Sequence, residues 1–555
     1  MPSTTTKRPI RIGGASGGFT DRQRAIHDLA KNCNVDVIVG DWMSECTMTI
    51  HGAQKAARKG AAAEGQGLYD PCFMGSLTPA LEVLQEKGVR LAVNAGASDA
   101  ALLAREVARA VRERGLTLQV AWIAAPTLSC AAASPTPRPP SAPPDLDALA
   151  GALMAGHLIE CSAYVTGGYY SGFKQLFDGC ENLGFPVAAI EANGETVLSK
   201  EANTGGAVSV GTVTSQLVYE IQGPLYYNSD VTANIEGIRF EQVGPDEVRV
   251  TGVKGLLPPP TTKVGLTAEG CYQAEFHYIF VGLDLEEKAA WTERQIRYAM
   301  GKNVEKLSCL KFQLIGSPGN DPDNQNAATA DFRVFVQTRD PSVLGAGNMT
   351  GPNFTRWCME NFLQSAPGAT IETDLRQSAP KSVYEYWVAL LPQEVVQHRA
   401  VLEWNNQVID IPPPTQTQTY SRRQKSYETA NPVDLATFGP TTRGPLGWVV
   451  LGRSGDKASD ANIGLFVRHD DEWDWLRSLL TTDKFIELLA KEYLGHGVDR
   501  FEMPNIRTVH FLLKDHLDRG FNSTSSLDGL GKNLCEFIRC RHVDIPNKFL
   551  ARGKV

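Results

Sequence analysis

Short apolar runs alternate with amphipathic stretches through the first part of the chain. Residues 10–19 begin extended and break into a glycine loop, after which Ile26, Leu29 and Ala30 share one helical face. Thr20 is expected to cap that helix, with Gln23 completing a capping box. The runs 35–39 and 89–93 are the brief apolar segments of buried parallel strands. Between them Thr78 and Pro79 take the opening positions of a helix that Gly88 ends. Ser98 is expected to cap a longer helix carrying Leu103, Val107 and Val111 at fourfold spacing, stopped by Gly115 before a fourth strand at 116–123. Strands alternating with helices predict a mainly parallel sheet with right-handed crossovers, an α/β fold.

The pattern then changes twice. Residues 131–145 are dense in proline and read as a polyproline-like excursion. A helix follows from 146 to 158, and from 185 to 337 the chain becomes β-rich, with strands expected at 187–190, 196–198, 248–253, 263–266, 275–281 and 334–337. Helices return at 285–300 and 354–364, and 382–391 reads as a strand. A polar linker spans 401–445 and sets off a compact module at 446–555. There, strands at 448–452 and 462–467 flank a loop at 453–460. A helical stretch at 471–493, a strand at 507–513, a helix face of Leu527, Leu530, Leu534 and Phe537 and a last strand at 541–545 complete a small α+β sandwich.

With 555 residues, two or three domains are expected. A net charge of −8 argues against a nucleic-acid partner, which calls for a basic face. Neither an apolar run of spanning length nor a secretory h-region is visible, so no membrane partner and a cytoplasmic location are expected. The eleven cysteines lack paired spacing and read as reduced thiols.

Candidate chemistry gathers where strands end. Gly13, Gly14, Gly17 and Gly18 surround Ser16, and glycines there permit positive φ and close approach to a ligand; a following helix N-terminus would favour an anion. The second strand delivers Asp41 and, a turn later, Glu45, while the third ends in Asn94-Ala-Gly96. Ligands of open α/β sheets sit outside such carboxyl ends. Asn203-Thr204-Gly205-Gly206 is a second glycine turn before a helix at 213–221, with the same anion-binding logic. His157 and Glu160 lie one helical turn apart, and Arg453, Asp456, Lys457 and Asp460 crowd the C-terminal loop, either as an internally paired turn or as groups closing over a ligand. No metal site and no cofactor are expected.

Five separated segments occur in order: Ile12-Gly-Gly-Ala-Ser-Gly17, Gly40-Asp-Trp-Met-Ser-Glu-Cys-Thr-Met48, Gly156-His-Leu-Ile-Glu160 through Thr166-Gly-Gly168, Asn203-Thr-Gly-Gly-Ala207 and Arg453-Ser-Gly-Asp-Lys-Ala-Ser-Asp-Ala-Asn-Ile-Gly464. Together they resemble the acyclic terpene utilisation protein A family over nearly the whole chain. The resemblance implies an α/β domain over 8–400 and a ferredoxin-fold domain over 446–555. It also implies breakdown of branched isoprenoid acids carried as CoA thioesters, by a hydratase or lyase step. On that expectation Asp41 or Glu45 is the base and Asn94 a positioning group. Gly13, Gly14, Ser16, Gly17, Gly18, Gly96, Thr204, Gly205, Gly206, Arg453, Asp456 and Lys457 bind ligand. The partner is a small-molecule acyl thioester, and a homo-oligomer is expected. The alternative is a non-catalytic subunit docking through its C-terminal domain. One departure from the family pattern, Ala124-Ala-Pro-Thr127 where an acidic turn is usual, leaves open an altered substrate, an inactive chain or a misassembled gene.

Overall fold

The computed structural model describes residues 8–58, 68–124 and 145–555, so most of the proline-rich excursion lies outside the described residues. The chain forms two compact units, one of residues 1–266, 386–521 and 528–555, the other of 267–385 and 522–527.

In the first unit, seven strands run in the order Arg90–Val93, Val37–Asp41, Ile10–Gly17, Pro186–Ile190, Thr196–Lys200, Glu247–Thr251, Arg239–Gly244. The first three are mutually parallel, and every later neighbour is antiparallel. The expected parallel sheet is therefore mixed. Ile38 packs in a cluster with Leu29, Leu84 and Leu103, whereas its neighbour Val39 packs against Met154 and Leu158, so apolar layers cover both faces. The segment expected as a fourth parallel strand yields only Ala121–Ala124, which instead pairs antiparallel with His398–Leu402 in a three-stranded sheet completed by Gln407–Ile411. A partner nearly 300 residues away in sequence leaves no local trace, and the strands His398–Leu402 and Gln407–Ile411 lie where the chain was expected to be linker or its border.

The helix after the first strand begins at Ala25, with Arg24 at its cap and no side-chain capping bond, so the expected Thr20–Gln23 capping box does not form. Asp99, not Ser98, caps the helix Ala100–Glu113 by accepting from Leu102 N. Thr78 and Pro79 fall inside a helical run that already starts at Phe73, and Gly88 ends that run in the left-handed region.

The C-terminal module has a four-stranded antiparallel sheet ordered Leu451–Lys457, Asp460–Phe466, Thr508–Leu513, Val498–Met503. Residues 453–460 are thus not a loop: Arg453 to Lys457 end one strand, and Lys457 pairs with Asp460 across a tight hairpin. The helical stretch divides into Asp470–Leu479 and Thr482–Leu489, Leu534 begins its helix without Leu527 or Leu530, and the last strand His542–Pro546 pairs with Thr441–Pro445. One face of the hairpin meets residues 217–221. A Cβ on Gly464 would lie 2.4 Å from Val218 Cβ, and one on Gly455 2.3 Å from the Tyr219 ring, so both positions require glycine for the layers to touch. Between these elements the chain is tied down rather than loose: Gln424 bonds Leu225 N and Leu225 O, and Tyr420 Oη donates to Leu257 O.

In the second unit the strands Leu307–Ile315 and Thr329–Thr338, residues 272–281 of the strand Thr261–Val281, and Ala369–Ile371 lie side by side, packed against the helix Leu285–Met300 through Phe276, Tyr278, Phe332 and Ile296. Arg333 Nη1 and Gln337 Nε2 donate to Ser525 O and Ser523 O, which fastens the 522–527 segment to this sheet. No helix among the described residues is long and apolar enough to cross a membrane.

Candidate active site

Three strand ends meet at Asp41. Gly17 is in register with Asp41 across the parallel pair, and Ser16 Oγ donates to Asp41 O at 3.1 Å and to Gly18 O at 2.7 Å. Asn94, just past the third strand, donates through Nδ2 to Asp41 Oδ1. Its Oδ1 accepts from Trp42 N at 2.7 Å and Met43 N at 3.2 Å, so its orientation is fixed from both ends. Met43 N also donates to Asp41 Oδ1. Burial pushes the Asp41 carboxyl up to about 6; the Asn94 bond opposes that rise, and the charges of Glu160 and Glu220 add to it.

The glycines of the first strand serve a different purpose from the one expected. None of Gly13, Gly14, Gly17 and Gly18 has positive φ. Two of them are small because the chain at the end of helix Leu146–Glu160 passes over them: a Cβ on Gly14 would lie 2.2 Å from Ile159 O, and one on Gly17 2.6 Å from Cys161 Cα, whereas one on Gly13 would crowd only the Leu29 side chain and one on Gly18 would meet nothing closer than 3.9 Å. Gly13 and Gly14 sit in the sheet ladder, while Gly17 N and Gly18 N donate to Asp21 Oδ2 and Ser16 Oγ. With the helix starting only at Ala25, this loop does not form an anion site on a helix N-terminus. Gly206 does take positive φ, yet a Cβ on Gly205 would lie 1.8 Å from Gly179 O, Gly205 N already donates to Asn182 O, and Thr204 Oγ1 donates to Glu201 O. Helix Val210–Leu217 is capped by its own Ser209, which bonds Thr212 N. Gly96 belongs to the turn between Asn94 and the Asp99 cap.

From the other side comes the hairpin. Lys457 Nζ lies 2.8 Å from Glu220 Oε2, with both side chains still partly open to solvent at 24% and 18%. Glu220 has positive φ, and its N–H donates to Asn462 Oδ1 on the neighbouring strand, while Asn462 Nδ2 donates to Val218 O. Burial works to raise the Glu220 carboxyl, but Lys457 and the Tyr219 phenol prevail and hold it below its ordinary value. Burial likewise works to lower the Lys457 ammonium, and Glu220 and Glu45 hold it charged. Asp456, beside this pair, is pushed up to about 7 by burial first, then by the charges of Glu220 and Glu45. Glu220 is thus the common neighbour of the two raised carboxyls. Glu45 enters the same field from the first turn of helix Glu45–Ala57.

His157 is buried, with Nε2 3.1 Å from Leu217 O and Nδ1 3.5 Å from Glu160 Oε1, an ion-pair separation without hydrogen-bond geometry. Burial would lower its pKa, and Glu160 raises it instead. Burial first, then the charges of Glu160, Glu220 and Asp41, keep the Cys161 thiol protonated, with Arg453 opposing them.

The arrangement brings Asp41, Asn94, Ser16, Glu45, Asp456 and Lys457 into one electrostatic cluster. Sequence reasoning missed Glu220, which follows an apolar helix with no motif around it, and underweighted Glu160. Chemically, the cluster holds two carboxyls poised near neutrality beside a fixed ammonium, which is equipment for moving protons. Among the described residues no group of three or more His, Cys, Asp and Glu side chains is placed to hold a metal ion.

Two family models match the chain. The model of the acyclic terpene utilisation family protein AtuA covers residues 10–136 and 142–402, and that of the AtuA ferredoxin-like domain covers 445–544. No curated protein and no solved structure matches it.

Proposed function

Because the chain belongs to the acyclic terpene utilisation family AtuA and ends in that family's ferredoxin-like domain, we propose that it is an enzyme of branched acyl-thioester breakdown. Its reaction is of hydratase or lyase type. Adding water to an α,β-unsaturated thioester, or the reverse cleavage, moves one proton at oxygen and one at the carbon beside the carbonyl. Such a step needs a base and an acid whose pKa values both lie near the working pH. The observation that carries the reading is that Asp41, raised to about 6, and Asp456, raised to about 7, both lie in the field of Glu220, the carboxylate paired with Lys457. In the elimination direction ionised Asp41, steered by Asn94, takes the proton from the carbon beside the carbonyl and protonated Asp456 gives its proton to the departing hydroxyl, which leaves as water; hydration runs the same transfers in reverse, and the Lys457 ammonium favours negative charge developing on the thioester oxygen.

A purely docking role for the C-terminal domain has less support, since that domain contributes Asp456 and Lys457 to the cluster. The test is turnover of a branched enoyl-CoA by the full chain and by Asp41→Asn, with circular dichroism confirming equal folding. Removal of the base should lower kcat by about a hundredfold or more. Equal turnover would remove Asp41 from the reaction.

A further inference from the structure

Beside the ion pair stand two cations that the proton-transfer scheme does not use. Arg453 is only 4% exposed, and its guanidinium carbon lies 4.3, 4.7 and 4.5 Å from the ring centres of Tyr164, Tyr169 and Tyr219. Lys532 reaches the same three rings, at 5.2, 5.2 and 5.8 Å, and donates to Tyr164 Oη at 2.7 Å. Among the described residues neither cation has a carboxylate within ion-pair distance. Arg453 Nη1 makes one long bond, 3.4 Å to Gly168 O, and its Nε and Nη2 are buried without a hydrogen-bond partner.

Two like charges placed side by side repel, and aromatic faces offset only part of the cost of burying them. A guanidinium with two vacant donors is complementary to the paired oxygens of a phosphate, and a phosphate monoester carries the charge that balances two cations where a carboxylate would leave one uncompensated. Tyr169 supplies the entrance: it is 63% exposed, holds positive φ and follows Gly167 and Gly168, so its ring is the member of the cage that can swing aside. We infer that Arg453 and Lys532, framed by Tyr164, Tyr169 and Tyr219, form a subsite for a phosphate monoester or pyrophosphate group.

Tyr219 and Glu220 are adjacent in sequence, and Arg453 and Lys457 lie on the same face of one strand, so the subsite adjoins the proposed acid–base cluster. It rests on the reading above only for the identity of the molecule that bears the phosphate, which would there be the nucleotide end of a CoA thioester.

Isothermal titration of the full chain with pyrophosphate, with 3′,5′-adenosine bisphosphate and with acetate tests it. Saturable, salt-sensitive binding of both phosphate compounds and none of acetate is expected. Lys532→Gln should weaken that binding about tenfold or more, Tyr169→Ala, at an exposed position, by a smaller factor, and Asp41→Asn should leave it unchanged. Tighter binding of the bisphosphate than of pyrophosphate assigns the site to a nucleotide phosphate, and the reverse order to a free one. Absence of binding by the unmodified chain at millimolar concentrations, or equal binding by Lys532→Gln, overturns the subsite. Binding without any turnover of acyl-CoA would instead sink the proposed reaction and leave the subsite standing.

Discussion

At the scale of single residues, the acid–base assignment turns on groups whose charge is set by their surroundings. With Asp41 near 6 and Asp456 near 7, kcat/KM is expected to follow a bell whose maximum lies between those values. Asn94 is a positioning residue: its bond holds Asp41 down against burial. Asn94→Ala should therefore raise the Asp41 pKa and move the acid limb of the pH–rate profile to higher pH, whereas a merely structural role would lower activity without shifting the limb. Asp41 and Asn94 were legible in the sequence because both stand at the carboxyl ends of short apolar runs. Glu220 was not, since its place depends on a left-handed turn and on Asn462, 242 positions later. At Gly14 and Gly17 the requirement for glycine is close backbone approach rather than positive φ. Glycine marks either positive φ or close backbone approach, and only the helix crossing Gly14 and Gly17 decides between them.

At the scale of elements, the strand Leu451–Lys457 was the hardest to read. Arg-Ser-Gly-Asp-Lys has the composition of a loop, yet the strand is covered on both faces, by helix Leu534–Cys540 and by residues 217–221. Polar residues in a doubly covered strand are the mark of a site rather than of solvent. Replacing Gly464 by Ala should force Val218 aside and destabilise the fold by about 1–3 kcal/mol, read as a lower urea midpoint. An unchanged midpoint would mean that the layers separate freely.

The second unit offers an independent element-scale prediction. His277 Nδ1 sits 2.9 Å from Asp331, and Glu275 is 2.6 Å from Arg333 and 3.5 Å from His277. Bonds to Asp331 and then Glu275 raise His277 from 6.5 to about 9, while Glu275, which burial would raise, is held from 4.5 down to about 2 by His277 and Arg333. The histidine's contribution to stability is full below its unfolded pKa of 6.5 and is lost as pH climbs through 9. The glutamate's is present above 4.5 and is lost as pH falls through 2. Urea unfolding at a series of pH values should show stability falling between 6.5 and 9, and His277→Gln should flatten that slope.

At the scale of the whole molecule, sequence reading divides the chain near residue 400 and again at 446. The compact units divide differently: the C-terminal sheet joins the N-terminal one in the first unit, and 267–385 with 522–527 form the second. Local pattern marks where one motif ends, but compactness follows the burial of faces such as Val218 and Tyr219 under the hairpin, which no local pattern records. A chain ending at 411 should lose its cooperative melting transition or aggregate, because that apolar face and the Glu220 carboxylate would be left without cover or counter-ion. A truncated chain that melts like the full one would refute the dependence.

The central claim is that Asp41 moves a proton at the carbon beside a thioester carbonyl, and deuterium exchange reads that step even when the full reaction is slow. A branched acyl-CoA incubated with the full chain in heavy water should gain one mass unit at that carbon, and Asp41→Asn, equally folded, should abolish the gain. Exchange by Asp41→Asn at the unmodified rate, or none by the intact chain with any branched acyl-CoA that it binds, would contradict the account.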